Sequence, residues 1–138
     1  MRIKKSHQII ISSIIISLVV SGTFFVLAAQ EISSEIILET GKTVIGQDIQ
    51  YPTQASPLII SKIVTIPVGV ETVEHVHEYP MYAYVMEGEI KVEYTELDTQ
   101  EVHVFGPGDT FIEAINVTHK GINIGDVDVK ILTVSIGN

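Results

Sequence analysis

From residue 58 onward the sequence is a series of short β-branched runs, each stopped by turn residues, and none carries helical spacing over three turns. The runs are 58–66, 81–86, 90–94, 102–105, 110–112, 117–119 and 127–136. Pro67-Val68-Gly69 closes the first, and Gly106-Pro107-Gly108-Asp109 is the strongest turn in the chain. Glu87-Gly88-Glu89, between two runs, gives a hairpin-like signal. Composition agrees: the chain is 46% hydrophobic but only 7% aromatic, so its bulk is aliphatic and suits strands. Many short strands spaced by turns predict an all-β sandwich or barrel, and closure is economical at this length because it removes exposed edges.

The first 29 residues read differently. A basic start containing Arg2, Lys4 and Lys5 precedes a stretch without charge over 9–29. This pattern predicts a hydrophobic export helix whose basic end stays in the cytoplasm. At 21 residues it is long for a cleaved apolar region and about long enough to span a bilayer, for which roughly 20 residues suffice. The Ala28-Ala29 junction favours a signal peptide cut after Ala28; retention would leave a membrane anchor. Either outcome puts the remainder outside the cytoplasm, periplasmic or secreted if cut and membrane-anchored if not. The expected organisation is a leader over 1–29, an N-terminal arm over 30–57 and a single barrel over 58–138.

Charge and composition remove several classes of function. The formal net charge is −9, and without Arg2, Lys4 and Lys5 five basic residues face 17 acidic ones. Such a field repels phosphate backbones and anionic lipid, so no nucleic-acid partner is expected, and membrane contact only through 9–29. The absence of cysteine excludes disulfides, thiolate zinc sites, iron–sulfur clusters and a cysteine nucleophile. No phosphate-binding glycine loop or serine nucleophile elbow is present.

What chemistry remains lies in the histidines. His75 and His77 stand one residue apart, and on a strand positions i and i+2 share a face, so both imidazoles reach one point. Glu74, Val76 and Glu78 alternate away from it. Two such histidines are half a site for a borderline transition metal, although a His-x-His pair is often a surface or core feature only. His119 is the third candidate, far along the chain but within reach of a closed barrel. His103, isolated in Val-His-Val, reads as structural, and His7 belongs to the leader.

These residues carry a family resemblance. Residues 69–88 resemble the first cupin motif: Gly69, five residues, His75-x-His77, three residues, the usual glutamate position, six residues, Gly88. Residues 108–123 resemble the second: Gly108, His119 and Asn123 match, while Ala114 and Asn116 replace the usual Pro and Gly. The resemblance is to small single-domain exported cupins, and it implies a double-stranded β-helix, or jelly-roll, barrel. It further implies a metal centre on His75, His77 and His119, with iron, manganese, nickel, zinc or copper as candidates. Cupins often pair, so a homodimer is a further expectation of the resemblance.

The motif-one glutamate position, however, holds Met81. Three arrangements of the centre follow: three histidines and water around a divalent metal, a Met81 thioether that biases the site toward copper, or a metal-free pocket for a small ligand. Glu113 is a second candidate for the missing carboxylate, against the more ordinary expectation of a solvated strand glutamate in an acidic protein. Tyr79, Tyr82 and Tyr84 are candidates for the pocket wall or for packing at the barrel mouth, and Asn123 for a brace on the His119 strand. Two classes of function remain: a metal-dependent enzyme on a small organic substrate, dioxygenase-like or isomerase-like, and a non-catalytic module that binds a small molecule or metal.

Overall fold

The structure, a computed structural model, describes residues 17–20, 23–26, 32–50, 52–53, 55–95 and 101–137. The chain divides into two units after Glu35. In the first, Ser17–Val20 (β1) pairs antiparallel with Thr23–Val26 (β2). These eight residues of the stretch expected to form the export helix are extended here, and the rest of the expected leader lies outside the described residues. No helix among the described residues is long and apolar enough to cross a membrane.

The second unit is all-β, with no helix among its described residues. Its strands are Leu58–Ile66 (β3), Met81–Glu87 (β4), Ile90–Tyr94 (β5), Glu101–Phe105 (β6), Thr110–Ile112 (β7), His119–Asn123 (β8) and Val129–Gly137 (β9). They form two antiparallel sheets, ordered β3-β9-β4-β7 and β6-β5-β8. Alternation is clean on β5, where Ile90, Val92 and Tyr94 are buried between half-exposed Lys91 and Glu93. Those side chains meet Ile66, Ala83, Val85, Phe111, Val129 and Ile131 of the other sheet in one core. Each buried aliphatic side chain of this kind contributes about 1.5–3 kcal/mol. Phe105 and Phe111 stack across the sheets, with centroids 3.8 Å apart.

Two local expectations are corrected. The Glu87-Gly88-Glu89 turn is no hairpin: β4 pairs with β7 and β9, β5 with β6 and β8, and the turn carries the chain from one sheet to the other. The ladder shifts register between Val85 and Glu87, which bends the strand as a bulge does. Gly88 then takes φ +78°, and a Cβ there would lie 2.8 Å from the Asp128 carbonyl oxygen and from Val129 Cα. Second, the strand expected over 117–119 instead runs over 119–123. Gly121 and Asn123 look like strand breakers, yet a Cβ at Gly121 would lie 2.8 Å from Ile90 Cδ1, so glycine is what lets β8 lie close on β5. Asn123 is buried; its amide donates to the Ile66 and Val127 carbonyls while its Oδ1 accepts from the Gly125 N–H. It therefore ties the end of the His119 strand to β3.

Part of the N-terminal arm packs on the same unit. Gln47 clasps the backbone of Ile115 from both sides, donating to its carbonyl and accepting from its N–H, each at 2.8 Å. Val44 N–H donates to the Ile112 carbonyl. The loop leading to His119 is thus held by residues well outside both motifs.

Candidate metal centre

The residues from Glu71 to His77 run in extended form beside β8 rather than as a full strand. His75 and His119 exchange both backbone hydrogen bonds, at 3.0 Å each, and Asn116 N–H donates to the His77 carbonyl at 2.8 Å. A directly opposed pair puts its side chains on one face, and His77, two residues on, shares it. Asn116 takes φ 55°, the left-handed conformation that asparagine tolerates better than most residues.

The three rings form a triangle with centroids 4.6–5.0 Å apart. One nitrogen from each lies within 4.8 Å of the other two, and among the described residues this is the group placed to hold a metal ion. The ring orientations have visible causes. Nδ1 of His75 is 2.8 Å from the Val73 carbonyl, and Nδ1 of His119 is 2.8 Å from that of Val117. A carbonyl only accepts, so each Nδ1 carries the proton and each Nε2 keeps its lone pair. Nε2 of His77 and of His119 are buried without a hydrogen-bond partner. Burial, followed by its imidazole neighbours His119 and His75 and by Lys62, brings the pKa of His77 down to about 4; burial also lowers that of His119. Neutral imidazoles with buried, unpartnered nitrogens turned together suit a divalent cation and are otherwise costly to desolvate.

A cavity of about 150 Å³ opens on this group. Met81 lines it from β4, where 81, 83 and 85 face inward. In sequence Met81 holds the motif-one position at which the resemblance expects a glutamate. Tyr82 and Tyr84, on the other face of β4, do not line it, and Tyr79 lies on a separate surface groove.

Glu113 overturns the expectation of a solvated residue. It is 7% exposed and lines the cavity. Its N–H donates to the Met81 carbonyl at 2.9 Å, extending the β4–β7 pairing, so Glu113 inherits the inward face of Phe111 two residues before. Tyr94 Oη donates to Glu113 Oε2 at 2.8 Å, and the same oxygen lies 3.6 Å from His119 Nε2. Burial raises the pKa of Glu113 and also that of Tyr94. Burial thus disfavours the charged form of both partners in the 3.6 Å contact. Tyr94, fully buried with its ring 5.2 Å from that of His119, is the site residue the motifs do not reveal. The alternation of Ile90 and Val92 with Lys91 and Glu93 was the available signal. His103 stands apart on β6, its ring 6.1 Å from those of Tyr94 and Phe105 and its Nε2 3.4 Å from Glu101.

Residues 62–135, more than half of the chain, match the cupin domain family model. The chain belongs to the cupin family. Solved structures place this cupin beside proteins of varied size. Oxalate decarboxylase of Lactobacillus farciminis, in a formate complex, is similar at 28% identity and a TM-score of 0.51, over 56% of this chain and 23% of that one. The cupin domain of Schizosaccharomyces pombe Cnp3 is similar at 17% identity and a TM-score of 0.51, over 58% and 56%. Bacillus subtilis oxalate decarboxylase, in a study of its Mn(II) centres, gives 23% identity and a TM-score of 0.51, over 56% and 21%. The cupin thus spans under a quarter of the decarboxylases it resembles. No curated protein matches the sequence.

Proposed function

We propose that this cupin works outside the cytoplasm as a metal-dependent enzyme on a small organic substrate, holding one divalent transition metal on His75, His77 and His119. The observation that carries the reading is the pair of buried, unpartnered Nε2 atoms on His77 and His119, in a triangle whose third ring is tethered to turn the same way. The metal would supply Lewis-acid or redox activation, with three protein ligands leaving positions open. The chain's own contributions are a cavity of about 150 Å³, a mostly aliphatic wall, and the Tyr94–Glu113 pair beside His119. A cavity of that volume accommodates a molecule of roughly benzene's bulk, so the substrate is small. The basic start and uncharged 9–29 stretch support export, and the expected jelly-roll connection of the two sheets suits the two motifs in order.

Elemental analysis of the purified protein beside His77→Ala tests the metal. Near-stoichiometric metal that disappears in the variant is the expected result. Absence of metal from both, even after anaerobic reconstitution with several divalent ions, would overturn it. Met81 favours the second reading, a non-catalytic small-molecule module, because the motif-one carboxylate that could move a proton is missing there. Substrate-dependent dioxygen uptake by the loaded protein separates the two.

A further inference from the structure

Five lysines lie among the described residues, and four of them are paired with carboxylates: Lys42 with Asp48, Lys91 with Glu93, Lys120 with Glu71 and Lys130 with Glu87, at 2.6–3.0 Å. Lys62 has no carboxylate within ion-pair distance among the described residues. This occurs in a chain with 17 acidic residues, where a lysine finds a partner easily. Its position explains the difference. Lys62 is on β3, paired in register with Thr133 of β9, and both line the histidine cavity. Val64 and Ile66, on the same face of β3, line it as well. The ammonium is close enough to contribute to the depressed pKa of His77.

We propose that Lys62 selects small carboxylates for this cavity. The inference rests on the proposed function for the site but draws on different atoms. Three neutral imidazoles leave the charge of a divalent ion uncompensated, because Met81 replaces the ligand carboxylate that would cancel part of it. Lys62 adds a further positive charge on the cavity wall. An anion is therefore the ligand that this site attracts, and it compensates both charges at once. The remaining wall sets the rest of the molecule: Thr72, Thr133 and Glu113 are its polar members, and Val64, Ile66, Ile90, Val92, Phe111 and Ile131 make most of it apolar. They favour a monocarboxylate with a short hydrocarbon body over a second charged group. The volume limits that body to a handful of carbons.

The test uses the full chain, metal-loaded and metal-free, with 2-methylpropanoate and its neutral amide, 2-methylpropanamide, as probes. Titration calorimetry gives the ratio of their affinities. The expected ratio is about tenfold or more in favour of the carboxylate, shrinking as salt rises. In the metal-free chain Lys62→Met, of similar length and without charge, brings the ratio close to one; in the loaded chain it lowers the ratio, and Lys62→Arg restores it in both. Because Lys62 is exposed and unpaired among the described residues, both variants keep the melting temperature, and their metal content is measured alongside. Equal affinity for acid and amide in the unaltered chain, an unchanged ratio in Lys62→Met, or no binding of the acid at 20 mM would each overturn the proposal. Samples that take up no metal on reconstitution yet prefer the acid through Lys62 would sink the metal reading alone; loaded samples that bind both probes equally would sink the lysine reading alone.

Discussion

Two polar groups at the cavity's histidine end are built in opposite ways. The three histidines are fixed by backbone: reciprocal hydrogen bonds join residues 75 and 119, and main-chain carbonyls receive the Nδ1 protons of both. Tyr94 and Glu113, a few ångströms away, are fixed by each other, through one bond of 2.8 Å between side chains on different sheets. A group held by backbone presents its free atoms to a ligand and keeps doing so when a neighbour changes. A group held side chain to side chain has spent its polar atoms internally and depends on its partner. On this view the histidines are the binding element, and Tyr94–Glu113 is a tuned wall beside them.

The largest effect expected is at His119. His119→Ala removes a side chain that is 1% exposed, leaves a void beside the Tyr94 ring, and takes away one of three ligands. The loss should be about 2–4 kcal/mol of stability in the metal-free protein, together with essentially all bound metal. Chemical denaturation and elemental analysis read the two separately. Were Tyr94→Phe to strip the metal as completely as His119→Ala, the division between binding element and wall would be broken.

The same contrast explains what the sequence discloses. His75 and His77 are legible because a period of two puts them on one face, and His119 because motif spacing returns it to the same place. The strands are legible from β-branched runs, but pairing is not: Glu87-Gly88-Glu89 looks like a hairpin and is a crossing between sheets. A two-residue period cannot say whether the next strand belongs to the same sheet. Gly121 and Asn123 disguise β8 because their fitness for a strand depends on Ile90 and Ile66, far along the chain. Glu113 is disguised for a related reason. Base rates put a glutamate in solvent, whereas one extra backbone bond to Met81 carries it inward. Tyr94 becomes meaningful only with Glu113 opposite.

A pH titration sharpens the comparison at an intermediate magnitude. His77 has its pKa lowered from 6.5 to about 4, so between these values the unfolded chain takes up a proton that the folded chain does not. Stability from this residue is present above pH 6.5 and lost as pH falls toward 4, on the order of 2 kcal/mol after allowance for its partial exposure. Glu113 acts in the opposite direction, since its raised pKa makes the folded chain bind more protons as pH rises above the ordinary carboxylate range. The measurement is therefore made on metal-free Glu113→Gln. Its stability should fall between pH 7 and pH 4, and adding His77→Gln should flatten the curve. An equally steep curve in the double variant would remove His77 from the account.

The smallest effect tests the wall by itself. Tyr94→Phe deletes the hydroxyl that donates to Glu113 Oε2 and leaves a buried carboxyl oxygen without that donor, which costs about 1–2 kcal/mol. Glu113→Gln keeps the shape and an acceptor for Tyr94 but never ionises. Because a raised carboxyl pKa gives stability at low pH that is lost as pH rises, this variant should melt above the parent at pH 8 and no higher than it at pH 4. Combining the two changes should give a pH profile like that of Glu113→Gln, shifted down, since no carboxyl is left to titrate and the hydroxyl that bonded residue 113 is gone. If the parent and Glu113→Gln share one profile from pH 4 to pH 8, Glu113 is ionised when folded. The carboxylate would then have to be counted with the histidines as part of the binding element, and the two groups would no longer be distinct.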